Sequence, residues 1–325
     1  MSLTAIILAA GKSTRMKTKR PKALHEVCGK PMLHYVLRAC YEAGCTRVIV
    51  VVGHGKEEVI AAFGEDKRIH WVEQTEQLGT GHAVQVCGVE LKKLHGDVFI
   101  LAGDGPLIRG EVLKTLAGAH RDERAAASMA TAMLDDPTGY GRVVRDEMGE
   151  FVAIVEQPDC TAEQRAIKEV FPSYYCVKVD ELLWGLEQLR PNNKKGEYYL
   201  TDIYGHLRDA GKKVLALQAV TAEDVLAVNN RQQLADVDAV MQERIQRQHR
   251  DAGVTVVSSV GTYIEHGVTI GVDTVVHPYT FIGRDSIIGT ECVIGPFAVV
   301  PREGLVPEGT TLARNITPDT ATLKV

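Results

Sequence analysis

Six cations, Lys12, Arg15, Lys17, Lys19, Arg20 and Lys22, stand within eleven positions, directly after the apolar run Ala5–Leu8 and the small residues Ala9, Ala10 and Gly11. No acidic residue precedes Glu26. A strand that opens into small residues and positive charge suits a polyphosphate, because backbone N–H groups of such a loop surround the phosphate oxygens while Arg15 and Lys22 supply charge. On charge alone the alternative is a solvated basic loop. The pattern is neither G-x-G-x-x-G nor G-x-x-x-x-G-K-[ST], so neither dinucleotide oxidation nor P-loop hydrolysis is indicated.

Two further groups could act with this loop. Leu101-Ala102-Gly103-Asp104-Gly105-Pro106-Leu107 ends an apolar run with one carboxylate. Asp104 is either a turn or cap residue or, opposite a cationic phosphate loop, a magnesium ligand, since Mg²⁺ is held by one or two carboxylates plus substrate phosphates. In Gln74-Thr75-Glu76-Gln77-Leu78-Gly79-Thr80-Gly81-His82, two carboxamides precede a Gly-Thr-Gly entry to a helix. They could read a base edge, or form only a polar loop before a helix. With no serine or cysteine in a nucleophile elbow, His82 reads as structural and no hydrolytic triad is indicated.

The elements that must position these residues follow from periodicity. Thr4–Leu8, Arg47–Val52, Ile69–Glu73 and Val98–Leu101 are short and rich in Ile and Val, as strands buried on both faces are. Between them Pro31–Ala43, Lys56–Phe63 and Gly79–Val89 carry helical spacing. This order predicts an α/β domain with a Rossmann-like, mostly parallel sheet whose ligand lies beyond the carboxyl ends of the strands. From Ala125 to about Lys178, strand-like pieces separated by turn clusters predict a β-rich insertion over the site. Asp180–Leu189 and Leu200–Ala210 return to helical spacing, and Asn230–Asp251 predicts a connecting helix with one buried stripe.

Beyond Gly253 the period becomes six. Ile264, Ile270, Val276, Ile282, Ile288, Ile294 and Val300 recur at that interval, with a small or β-branched residue two positions before each. Such hexads mark a parallel β-helix, the aliphatic residues pointing into a stacked core. The clear hexads are expected to stop near Val300, after about two coils, with 302–325 as a cap or tail. The expected organisation is a domain over 1–229, a connecting helix over 230–252 and a short β-helix with its tail over 253–325.

Composition narrows the class. With 325 residues, 45% hydrophobic and 24% charged, the chain reads as an ordinary globular protein of about two domains. A net charge of -5 argues against nucleic acid or a membrane surface as partner. Seven scattered cysteines, never in CxxC spacing, suggest neither a disulfide framework nor a zinc site, and predict a cytoplasmic protein with reduced thiols. No apolar stretch approaches a membrane span or a signal peptide.

LAAGKSTRMKTKRPKALHEVCGKPML, QTEQLGTGHA, LAGDGPLI, DPTGYGRVV, IVEQ, GEYYLTDI and VNNRQQL, in this order and over about 230 residues, resemble the pyrophosphorylase domain of the bifunctional bacterial enzyme that makes UDP-N-acetylglucosamine. The resemblance implies a Mg²⁺-dependent transfer of a uridylyl group from UTP to N-acetylglucosamine 1-phosphate. It implies triphosphate binding by Gly11, Arg15 and Lys22, with Leu8 and Ala10 in the same motif. Uridine falls to Gln74, Gln77, Gly79 and Thr80, Mg²⁺ to Asp104 and Asn229, and the sugar to Gly141, Glu156, Tyr199 and Thr201. It also implies a left-handed β-helix that mediates trimer formation.

This chain departs from the family in three places. Phe171 and Ser173 stand where the family has a sugar-contacting Asn and a Gly, and Ala102 where it has Tyr. The β-helix is much shorter, so acetyltransferase activity is not expected. The same chemistry on another hexose 1-phosphate or with dTTP stays open, as does a non-catalytic sugar-nucleotide-binding role.

Overall fold

The computed structural model describes residues 3–313. The chain divides into two compact units, one made of the residues up to Leu24 together with Met32–Asn230, the other of His25–Pro31 together with Arg231 onward. The later break falls between Asn230 and Arg231. The helix expected to connect domains, Arg231–Asp251, is part of the second unit, and so is His25–Pro31, which the sequence reading left in the first.

The first unit is built on a sheet whose strands run, in spatial order, Val214–Gln218, Ala127–Met133, Glu169–Lys178, Asp97–Ala102, Leu3–Leu8, Arg47–Val52 and Ile69–Glu73. Leu3–Leu8 is parallel to both of its neighbours, with Leu8 opposite Ala102 on one side and Val51 on the other. Period-two alternation divides each strand between two cores. Ala5, Ile7, Val48 and Val50 pack on one face with helices Met32–Glu42 and Gly110–Asp122, while Ile6, Ile49 and Val51 pack on the other with Val179–Gln188 and Asp202–Asp209. Chain crossovers leave the Leu3–Leu8 strand toward both sides, so a crevice opens at its carboxyl end.

Several expectations are corrected. Ala125–Lys178 is not an insertion: Ala127–Met133 and Glu169–Lys178 belong to the main sheet, the latter antiparallel to both neighbours, and only Gly141–Arg145 and Phe151–Val155 branch from it. Short strands with turn signals look alike whether they branch from a sheet or complete it. The helix expected over Gly79–Val89 is two, Thr80–Gln85 and Gly88–Leu91, hinged at Cys87. Helix Gly110–Asp122 and strand Val214–Gln218 were not anticipated.

In the second unit, a left-handed parallel β-helix follows helix Arg231–Asp251. Two-residue strands stack in three sheets from Thr255–Val256 to Thr311–Leu312. Every hexad aliphatic from Ile264 to Val300 is buried, and so is Val306. The solenoid therefore continues past Val300, through Leu305–Val306 and Thr311–Leu312; the part of the expected tail beyond 313 lies outside the described residues. A further periodic signal marks each corner: Asp273, Tyr279, Asp285, Glu291, Phe297 and Glu303, three positions before successive aliphatics, all have φ near +60°. Among the described residues no helix is long and apolar enough to cross a membrane.

Candidate nucleotide site

The crevice at the carboxyl ends of Leu3–Leu8 and Asp97–Ala102 is a cleft of about 420 Å³. Its floor begins where Leu8 leaves the sheet. Ala9 N–H donates to Val51 O at 2.8 Å, and Gly103 N–H to Leu8 O at 2.9 Å, so both strand ends are tied together as they open. A Cβ on Gly53 would lie 2.8 Å from Ala10 O, so only glycine lets the neighbouring strand come this close. Above Gly11 there is open space, since a Cβ there would meet nothing within 4 Å. The basic loop is pinned by one residue: Met16, fully buried, plugs the turn Thr14–Met16, which is flanked by left-handed Ser13 and Lys17 at φ 54° and 51°. Arg15 is thereby held at the cleft, whereas Lys17, Lys19 and Arg20, exposed like it, do not line the cleft.

Lys22, in the turn Lys22–Leu24, is ion-paired with Asp104 and donates to Asn229 Oδ1 at 3.0 Å. Arg15 Nη2 donates to the same Asn229 oxygen at 2.9 Å. Asn229 is delivered by backbone, Val228 N–H donating to Asp104 O at 3.0 Å. Asp104 and Asn229 therefore turn oxygen donors to one ammonium nitrogen, and hard oxygen donors aimed at one point of positive charge are what Mg²⁺ requires. Among the described residues there is no group of three or more His, Cys, Asp or Glu that could hold a metal. The remaining ligands of an ion here would have to be substrate oxygens and water.

The opposite wall is the Gln74–Thr80 segment. Gln74 N–H donates to Val52 O at 2.8 Å, continuing the ladder of the edge strand. Gly79 has φ +113°, and a Cβ would lie 2.6 Å from Tyr198 O, so both backbone angle and space demand glycine. Thr80 Oγ1 accepts from Leu200 N–H at 3.0 Å and Gly81 N–H donates to Tyr198 O at 2.7 Å, which laces this wall to the 198–200 segment. Leu8, Ala10, Gly11, Arg15, Lys22, Gln74, Gln77, Gly79, Thr80, Asp104 and Asn229 all line the one cleft.

The four expected sugar residues stand elsewhere. Gly141, Glu156, Tyr199 and Thr201 do not line this cleft but cluster with one another. Thr201 Oγ1 donates to Glu156 Oε1 at 3.1 Å, and a Cβ on Gly141 would come within 3.7 Å of both Glu156 carboxylate oxygens. Burial pushes the Glu156 carboxyl above its ordinary range, against the Thr201 hydrogen bond that favours the charged form. The Tyr199 hydroxyl is sealed from solvent with no well-formed hydrogen bond among the described residues, and burial, together with the nearby Asp159, Glu156 and Glu197 carboxylates, raises its pKa.

Phe171, at the position of the family's sugar-contacting Asn, is 4% exposed and packs edge-on against Tyr175 at 4.7 Å and Tyr204 at 6.0 Å. It belongs to the core. Ser173, Tyr175 and Glu197 line the cleft instead, and only Ser173 had been noticed in the sequence, as a departure. Its φ of +66° explains a glycine in that register, because the left-handed region costs a non-glycine residue about 1–2 kcal/mol.

A Rossmann-like sheet with a cleft of cations, carboxamides and the carboxylates Asp104 and Glu197 at its switch point is the architecture of a nucleotidyltransferase domain. Residues 5–166 match the family described as MobA-like NTP transferase domain. The chain is 44% identical over 85% of its length to the bifunctional protein GlmU of Brevibacillus brevis, and 45% identical over 86% to that of Alkaliphilus metalliredigens. These GlmU proteins are its homologues, and the chain spans about 60% of their length. A solved structure, UDP-glucose pyrophosphorylase complexed with UDP-glucose, superposes with a TM-score of 0.61 at 19% identity, covering 75% of this chain and all of that one, which shows the shared fold.

Proposed function

We propose that the chain transfers a uridylyl group from UTP to N-acetylglucosamine 1-phosphate, releasing pyrophosphate. The observation that carries this reading is the convergence of Arg15, Lys22, Asp104 and Asn229 through one set of hydrogen bonds at the mouth of a cleft whose far wall holds Gln74 and Gln77. A sugar phosphate oxygen attacks the α-phosphorus of UTP in line. One P–O bond forms, the bond to the β-phosphate bridging oxygen breaks, and pyrophosphate leaves with the electron pair. The nucleophile is already an anion, so no general base is needed, and catalysis reduces to positioning and charge neutralisation.

Arg15 and Lys22 meet the triphosphate from the basic loop, and the open space over Gly11 leaves room for phosphate against the backbone. Asp104 and Asn229 are the residues that would hold Mg²⁺, which when bound offsets phosphate charge. Lys22, held by both Asp104 and Asn229, would stand between that ion's site and the phosphates. The test is pyrophosphate release over a grid of nucleotides and sugar 1-phosphates; no turnover with UTP and any sugar phosphate sinks the reading.

One observation favours a second reading, the same transfer to a different hexose 1-phosphate. Phe171 is locked in an aromatic cluster and offers no hydrogen bond to an N-acetyl group, and a pocket lacking such a partner discriminates less. The same grid decides it. Trimer formation through the β-helix is part of the proposal, supported by Ile287 and Leu305, neighbours on one face and 53% and 70% exposed; sedimentation velocity checks it. A cytoplasmic setting, where the nucleotide is made, is in keeping with seven free, buried cysteines.

A further inference from the structure

His82 reads as structural in the sequence, yet its ring is hydrogen-bonded to Gln74 on the base-reading wall. Gln74 is 4% exposed and lines the cleft. Its Nε2 donates to Gly79 O at 3.3 Å and lies 3.1 Å from His82 Nδ1. A carbonyl oxygen can only accept, so the amide atom facing Gly79 must be the nitrogen. Its second proton then points to His82, whose Nδ1 must be the acceptor, placing the ring proton on Nε2. Both amide protons are thus committed. Gln74 Oε1 has no hydrogen bond to the described residues and is not sealed from solvent, so the group the cleft receives from Gln74 is an acceptor.

We propose that His82 is a positioning residue that fixes the Gln74 carboxamide with its oxygen toward the cleft, so that the site takes a pyrimidine bearing an imide N–H, uracil or thymine, and rejects cytosine. The N3–H of uracil or thymine donates to Gln74 Oε1, whereas N3 of cytosine is itself an acceptor and would face a second one. Without His82 the amide is held by Gly79 O alone and can turn its nitrogen outward. This inference rests on the nucleotide reading above.

The experiment compares the wild type with His82→Ala and His82→Asn, whose Oδ1 stands where Nδ1 stands. Pyrophosphate release is measured with UTP and with CTP at saturating sugar 1-phosphate and Mg²⁺. The expected result for His82→Ala is a roughly 10-fold fall in the UTP-to-CTP ratio of kcat/KM, about the worth of one hydrogen bond. The fall lies in KM for UTP rather than kcat, and His82→Asn restores the ratio. A packing role would lower both nucleotides together and would not distinguish Asn from Ala. An unchanged ratio in His82→Ala, or equal loss in both variants, overturns the proposal.

If His82→Ala does not fold, His82→Gln, whose acceptor sits one methylene further out, is compared with His82→Asn. Loss only in Gln supports the proposal and equal ratios overturn it. If no sugar phosphate turns over at all, the proposed function falls, and calorimetric binding of UTP against CTP to the same variants still decides the role of His82.

Discussion

Arg15 and Asn229, 214 positions apart in the chain, are joined by a 2.9 Å hydrogen bond from Arg15 Nη2 to Asn229 Oδ1. Lys22 donates to that same oxygen at 3.0 Å. One neutral carboxamide thus gathers the two cations expected to face the triphosphate. Lys22→Ala is expected to lower kcat by roughly 10²–10³, the cost of losing one fixed electrostatic donor. Arg15→Lys recovers only part of the loss from Arg15→Ala, because an ammonium lacks the guanidinium fork. Steady-state pyrophosphate release measures both, and a Lys22→Ala variant within about 3-fold of wild type, well short of that factor, would contradict the assignment.

Removal of divalent metal is expected to abolish turnover, with Mg²⁺ restoring it. Asp104→Asn keeps a neutral oxygen toward Lys22 but loses the charge, so it should shift the Mg²⁺ titration to much higher concentration. Asn229→Asp, which adds a carboxylate, should shift it to lower concentration. Titrations of activity against free Mg²⁺ check all three, and superimposable curves would rule out metal binding at this pair.

Gly79→Ala should destabilise the protein by about 2 kcal/mol or more. Alanine is strained at φ +113°, and its Cβ would press on the Tyr198 backbone, which cannot swing aside as a side chain could. Urea unfolding measures the loss, and KM for UTP should rise with it because the carbonyl of Gly79 itself accepts from the Gln74 amide.

Ser173→Gly should do the reverse. Relief of the left-handed strain, about 1–2 kcal/mol, exceeds the entropic cost of a glycine, about 0.5–1 kcal/mol. The net gain is therefore small, between about 0 and 1.5 kcal/mol. A fall in the urea midpoint would show that the Ser173 side chain makes interactions worth more than its strain.

Glu156 makes stability depend on pH. Its carboxyl titrates above the ordinary value near 4.5 because burial disfavours the charged form. Below that value the group is protonated in both folded and unfolded chains and costs nothing. As pH rises past it the unfolded chain ionises first, so stability falls until the folded carboxyl has ionised too. Half-buried Asp202 contributes with the same sign. Glu156→Gln keeps an acceptor for Thr201, so it should flatten this decline in urea melts run from pH 4.5 upward; an unchanged slope would mean that Glu156 is ionised throughout.

Much of the fold is legible locally. The run of Ile and Val in Arg47–Val52 is a strand buried on both faces because nothing else accommodates it, and a six-residue period from Ile264 onward can be satisfied only by stacked coils. The expected stop near Val300 is too early, since Val306 and Leu312 keep the six-residue spacing and the left-handed corners at Glu303 and Gly309 carry the solenoid on. Glu169–Lys178 reads locally as part of an insertion, since an antiparallel strand that completes a sheet differs from one that branches off it only in its partners.

The site divides in the same way. The amino-acid sequence alone determined which residues have the chemistry, the cations of 12–22, the carboxylate at 104 and the amides at 74 and 77, because charge and hydrogen-bonding capacity belong to the side chain. Only the tertiary structure decided that Lys22, Asp104 and Asn229 meet at one point and that Phe171 is core. The same holds for the turn of the Gln74 amide, which is set by Gly79 and His82. Those outcomes depend on strand order and on hydrogen bonds between distant segments, and the chain must fold before such partners exist.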